Sequence, residues 1–164
     1  MKVTSSGIVN GIIDDRFGKR GTDFSPEGVS SRSWPVKIED APEGTVSFAM
    51  VLEDKDAFPV TKGFSWVHWT VANLRRCELA ENESRTATDF VQGVTSWLSR
   101  GLTPEQCSFY SGMGAPDAPH VYELHVYALD TELPLENGFF MNKLYREMEG
   151  HILEEATLKG LYHN

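Results

Sequence analysis

Three short polar clusters sit inside apolar runs: Asp54-Lys55-Asp56-Ala57, Trp66-Val67-His68-Trp69 and His120-Val121-Tyr122. Together they offer carboxylates, imidazoles, indoles and a phenol. A buried polar group without a partner is costly, so such a set is either satisfied internally or arranged around a bound molecule. Imidazoles can donate to an oxyanion, and a bound anion favours their protonated form. Asp54 and Asp56, two apart in an extended segment, point to one side. One can orient a histidine or a loop while the other faces an amine or hydroxyl of a ligand. The blander readings are a solvated Asx turn for the acids and core histidines held by a carbonyl or carboxylate.

Other chemistries are weaker. Two Asp and two His are acceptable zinc or manganese ligands, yet no close pair such as HExxH is present, which leaves a metal-dependent hydrolase as a minor reading. There is no G-x-S-x-G elbow, and neither Cys77 nor Cys107 has a local nucleophile signature. Gly112-Met113-Gly114 lacks the Gly-Lys-Ser/Thr of a phosphate loop. His151, near Glu147, Glu154 and Glu155, reads as an exposed helix residue paired with an acid.

The elements that must position these groups are mostly strands. Ala41-Pro42-Glu43-Gly44 is a turn that opens onto Thr45–Leu52, apolar on both parities and so buried on both faces. Asp54 and Asp56 follow at its end. Phe64–Ala72 is a second strand. Period two puts Trp66, His68 and Thr70 on one face and Val67, Trp69 and Val71 on the other, the expected core face. His120–Leu129 is the clearest strand of the second half, with His120, Tyr122, Leu124 and Val126 on one face and Val121, Glu123, His125 and Tyr127 on the other. Ser111–Pro119, with two Gly and two Pro, is an ordered loop. From Phe139 to Leu158, Leu144, Met148, Ile152 and Leu153 recur at helical spacing, and Gly150 predicts two short helices or one bent helix. Strands first and helices last imply a mainly β, antiparallel β-sandwich of Greek-key type with short helices at the C-terminus.

The 164 residues fit one domain, residues 1–164, and 40% hydrophobic content is enough for one core. A formal net charge of -9 argues against nucleic-acid partners and polybasic membrane binding, while a local pocket field can still hold a small anion. Two cysteines are too few for a disulfide framework and read as free thiols. The first ten residues lack the apolar core of a secretory leader, and no run approaches the roughly 20 apolar residues of a transmembrane helix. A cytoplasmic location is expected.

Taken in order, these segments resemble the bacterial and archaeal branch of the phosphatidylethanolamine-binding protein family, also called the Raf kinase inhibitor protein family. The resemblance rests on Pro42-Glu43-Gly44-Thr45-Val46-Ser47, on Asp54-Lys55-Asp56-Ala57-Phe58 and on Trp66-Val67-His68-Trp69. It continues through Tyr110-Ser111-Gly112-Met113-Gly114-Ala115-Pro116, His120-Val121-Tyr122, Tyr127-Ala128-Leu129-Asp130 and the stretch from Met148 to Tyr162. Lys55, Phe58, Met113 and Ala115 stand where the family has prolines, and Val121 where it has Arg. The resemblance implies a non-catalytic binding or regulatory protein with a small pocket for phosphate-like or phospholipid-headgroup anions, including kinase or protease modulation. Carried over by position, the pocket would use Asp54, Asp56, Trp66, His68, His120 and Tyr122, with the Gly112 amide as an added donor. It also implies a homodimer and no cofactor. A protein-interaction module with a vestigial pocket is the alternative.

Overall fold

A computed structural model describes residues 1–164. The strands are β1 (Lys2–Thr4), β2 (Ile8–Val9), β3 (Ile12–Ile13), β4 (Val36–Glu39), β5 (Ser47–Asp54), β6 (Trp66–Leu74), β7 (Glu78–Leu79), β8 (Val91–Gln92), β9 (His120–Leu129) and β10 (Ile152–Tyr162). Three short α-helices join them: α1 (Phe58–Thr61), α2 (Pro104–Cys107) and α3 (Met141–Met148). A three-stranded sheet runs β1-β4-β7, and a seven-stranded sheet runs β2-β3-β10-β9-β5-β6-β8. All pairs are antiparallel except β3 with β10. The fold is mainly β, as the sequence predicts.

The apolar run of β5 is central in the large sheet and buried on both faces. Met50 and Leu52 meet Trp69, Val71, Leu124 and Val126, and the small sheet closes over them with Val3, Val36 and Ile38. Ala49 and Val51 meet Tyr127 and Leu129 on the other face, covered by Leu133, Leu135 and Phe139 and by Leu144 and Met148 of α3. Burial on both faces explains why hydrophobicity in β5 does not alternate.

The C-terminal expectation changes in its second half. Helical spacing holds only through Met148. Gly150 adopts φ 81°, and the chain then runs as an eleven-residue strand along β9. Ala156, Leu158, Gly160 and Tyr162 take one face, while Glu155, Thr157 and Lys159 stay more exposed. That period-two pattern was also in the sequence, and the open edge of β9 decided between the two periods. His151 pairs with Asp130 (2.8 Å) instead of a neighbouring glutamate.

The strict alternation expected in β6 is interrupted. Leu52 pairs with Trp69 but Glu53 pairs with Val67, so His68 is an extra residue in a bulge. Trp66, His68, Trp69 and Val71 therefore all turn toward the inter-sheet side. Thr70 turns away, close to Gly93 and Phe139.

Candidate functional site

Register assembles the site. Asp54 is the last residue of β5, and its cross-strand neighbours are Tyr122 on β9 and Trp66 on β6. One row at the end of three adjacent strands thus brings together an acid, a phenol and an indole from distant parts of the chain. The bulge adds the rest. The His68 carbonyl accepts from the Ser111 amide (2.9 Å) and hydroxyl (3.1 Å), which docks the Ser111–Pro116 loop. The displaced Val67 amide donates to Ser96 Oγ (2.8 Å) and anchors the 3-10 turn Ser96–Arg100. That turn supplies Trp97 and Arg100.

Between these elements lies a cavity of about 450 Å³ lined by Asp54, Ala57, Val60, Thr61, Trp66, His68, Trp97, Arg100, Gly112, Gly114, Ala115, Pro116 and Tyr122. Trp66 and Trp97 meet edge to face, with centroids 5.7 Å apart. The exposed Arg100 guanidinium lies 5.5 Å over Trp66 at the mouth and forms no salt bridge. The lining is mostly apolar, with a few convergent polar groups, the usual composition of a small-ligand site.

Each polar group has a definite state. The His68 ring donates from Nδ1 to the Ser111 carbonyl (2.8 Å), which leaves Nε2 without a protein partner. Burial lowers the His68 pKa, and the charge of Asp54 and nearby carbonyls only partly oppose this, so the ring is neutral with a lone pair on Nε2. Asp54 is buried; one oxygen accepts from the Ala57 amide (3.1 Å) and the other from His120 Nδ1 (2.7 Å). His120 Nε2 meets Asp117 at 2.9 Å. Burial works against charge on His120, but the hydrogen bonds and charges of Asp54 and Asp117 outweigh it and raise its pKa. Between two carboxylates both ring nitrogens can donate only in the imidazolium form, which the raised pKa favours. The Tyr122 oxygen accepts from the Gly114 (3.2 Å) and Ala115 (3.0 Å) amides, and burial pushes its hydroxyl well above the usual phenol range.

Of the residues singled out in the sequence, Asp54, Trp66, His68, Gly112 and Tyr122 line the cavity. His120 does not. It stands behind Asp54, with both nitrogens engaged. Asp56 is exposed and accepts from the Val121 amide (2.8 Å), pinning the acidic turn to β9. The expectation of a Gly112 amide donor is corrected, because that N–H donates to the Ser30 carbonyl (2.8 Å). A Cβ on Gly112 would lie 2.4 Å from the Phe17 carbonyl oxygen and from Ser30 Oγ, so the loop packs too closely there to open toward a ligand. Ala115 has φ 37°, a conformation that proline cannot adopt. Trp97, Arg100 and Asp117 were not found from the sequence; only Arg100, a lone cation after an aromatic turn, carried any signal. Nowhere do three His, Cys, Asp or Glu side chains converge so as to hold a metal ion.

A family model described as phosphatidylethanolamine-binding protein matches residues 4–163. The Bacillus subtilis protein YxkA is 39% identical over 159 residues, covering 93% of this chain and 94% of its own. A UPF0098 protein of Chlamydia pneumoniae is 33% identical over 164 residues, covering 99% and 98%. Among solved structures, a putative phosphatidylethanolamine-binding protein homologue, CT736 of Chlamydia trachomatis, superposes with TM-score 0.80 at 30% identity, covering 99% of this chain and 96% of that one. YbcL of Escherichia coli, described as a member of the mammalian family, gives 0.76 at 25% identity, covering 99% and 98%.

Proposed function

Since this chain belongs to the phosphatidylethanolamine-binding protein family, we propose that it is a non-catalytic binding protein whose cavity takes a small ligand with a phosphate-like group, free or as a phospholipid headgroup. The observation that carries this reading is the aromatic cavity of about 450 Å³ with an unpaired Arg100 at its mouth and polar groups at its inner end. The anion would sit at Arg100, because the donors expected at His120 and Gly112 are engaged within the protein. Guanidinium is well suited to phosphate oxygens. A cytoplasmic location and a homodimer belong to the same proposal; light scattering tests the latter.

A hydrogen bond to a charged group contributes about 1.5–3 kcal/mol, so Arg100→Gln weakens binding of ethyl phosphate by about tenfold or more. Calorimetry, or fluorescence of Trp66 and Trp97, reads the change. Equal affinity in variant and parent refutes the assignment. The exposed Phe58 and Val60 of α1, whose Val60 and Thr61 line the cavity, favour a second reading, a protein-docking module. Partner capture that survives Arg100→Gln and excess ethyl phosphate would support it.

A further inference from the structure

The bulge at His68 shapes two hollows, one on each side of β6. Trp66 and His68 face the cavity, while Val67 turns the other way and, with Val94, floors an open groove of about 370 Å³. The 3-10 turn Ser96–Arg100 is the wall between them, with Trp97 and Arg100 on the cavity and Leu98 on the groove. The groove is apolar. Its rims are Phe64, 56% exposed, and Phe140, 52% exposed, just before α3. An apolar hollow bordered by exposed aromatic side chains marks an interaction surface.

Charge identifies the partner. Residues 58–68, 93–102 and 138–146, which form the groove, carry Lys62, Arg100, Lys143 and Arg146 and not one Asp or Glu, in a chain with 15 Lys and Arg against 24 Asp and Glu. The ion pairs of Lys and Arg are all made by other side chains. Arg100 turns to the cavity. Lys62 lies close to Phe64 in sequence, Lys143 follows Phe140 within the first turn of α3, and Arg146 is one helical turn on from Asn142, which lines the groove. The acids that border the first segment are committed, Asp56 to the Val121 amide and Glu53 to Ser65 and His125. We propose that this groove docks a partner protein through a segment that sets large apolar side chains beside Asp and Glu. The apolar side chains fill the hollow, and the acids meet the unpaired cations around it. Side chains can enter a concave site; a bilayer surface cannot. A second copy docked face to face would set each cation against its own counterpart, so the homodimer proposed above uses another face. None of this depends on what the cavity binds.

The test is selection from a random-peptide display library on the immobilised full chain, followed by calorimetry with the enriched peptides. The expected result is that these peptides combine Phe, Trp or Leu with Asp and Glu, and that ethyl phosphate does not displace them. Their binding falls about tenfold or more in Phe140→Ala and in Lys143→Glu, and it weakens as salt rises. Both side chains are exposed, so the variants keep the parent's thermal unfolding, and Phe64→Ala repeats the test from the opposite rim. No enrichment of acidic apolar peptides, or enriched peptides that bind both variants as well as the parent, overturns the proposal. So does displacement by ethyl phosphate, which places the peptides in the cavity. Self-association that Phe140→Ala abolishes assigns the groove to a second copy, and binding to phosphatidylserine vesicles that it abolishes assigns the groove to a membrane; either result overturns it as well.

Discussion

Replacing His120 with Ala tests the arrangement behind the cavity. The side chains of His120 and Asp54 are 2% and 4% exposed, and their atoms are 2.7 Å apart. Removing one partner of a buried charged pair costs about 3–5 kcal/mol, because the remaining charge is left without compensation. For a domain of this size each kcal/mol lowers Tm by roughly 2–4 °C, so a fall of about 6–20 °C is expected. Asp117→Ala is the control. Its carboxylate is 44% exposed, and losing a solvent-screened partner costs about 1 kcal/mol or less.

pH sharpens this prediction. The His120 pKa is raised on folding, so the folded state takes up a proton that the unfolded chain holds less tightly. That stability is fully present below the unfolded value of about 6.5 and is lost as pH rises through the folded value. The difference between parent and His120→Ala therefore shrinks from pH 6 upward. His68 works in the opposite sense, since burial lowers its pKa and its contribution is lost on acidification; the charge of His120 adds to that lowering, so this loss is smaller in the His120→Ala variant and partly offsets the difference at low pH. Urea denaturation at a series of pH values measures the difference. A loss under 1 kcal/mol, a loss equal to that of Asp117→Ala, or a difference that does not change with pH would refute the reasoning.

Two further outcomes follow from the packing. Gly112→Ala places a methyl 2.4 Å from the Phe17 carbonyl oxygen, so it should destabilise by about 1–3 kcal/mol in the same denaturation assay and shift the loop that lines the cavity. Cys77 is exposed and Cys107 is buried, with burial pushing the Cys107 thiol up. Ellman's reagent should therefore label one thiol quickly and the second only on unfolding; two equally fast thiols would contradict the packing around α2.

Much of this molecule is legible in residue order. The two-sided apolar run of β5, the alternating faces of β9 and the turn residues around them follow from side-chain periodicity, a local property. Asp54, His68, Trp66 and Tyr122 of the cavity were identifiable because polar groups set into such runs need partners, whereas Trp97 and Arg100 were not. Local periodicity does not determine which partner each group finds. Only the register of β5, β6 and β9 puts Asp54 beside Tyr122 and Trp66. Only the bulge turns His68 and Trp69 to the same side and leaves the Val67 amide to fix Ser96, and with it Trp97 and Arg100. His120 is kept behind Asp54, and the Gly112 amide is held by Ser30, through contacts across 66 and 82 positions of chain respectively. β10 became a strand because the edge of β9 was open to pair with it. Hydrogen bonds saturate: a donor held by one acceptor is withdrawn from every other, and that allocation is made only when the chain closes on itself.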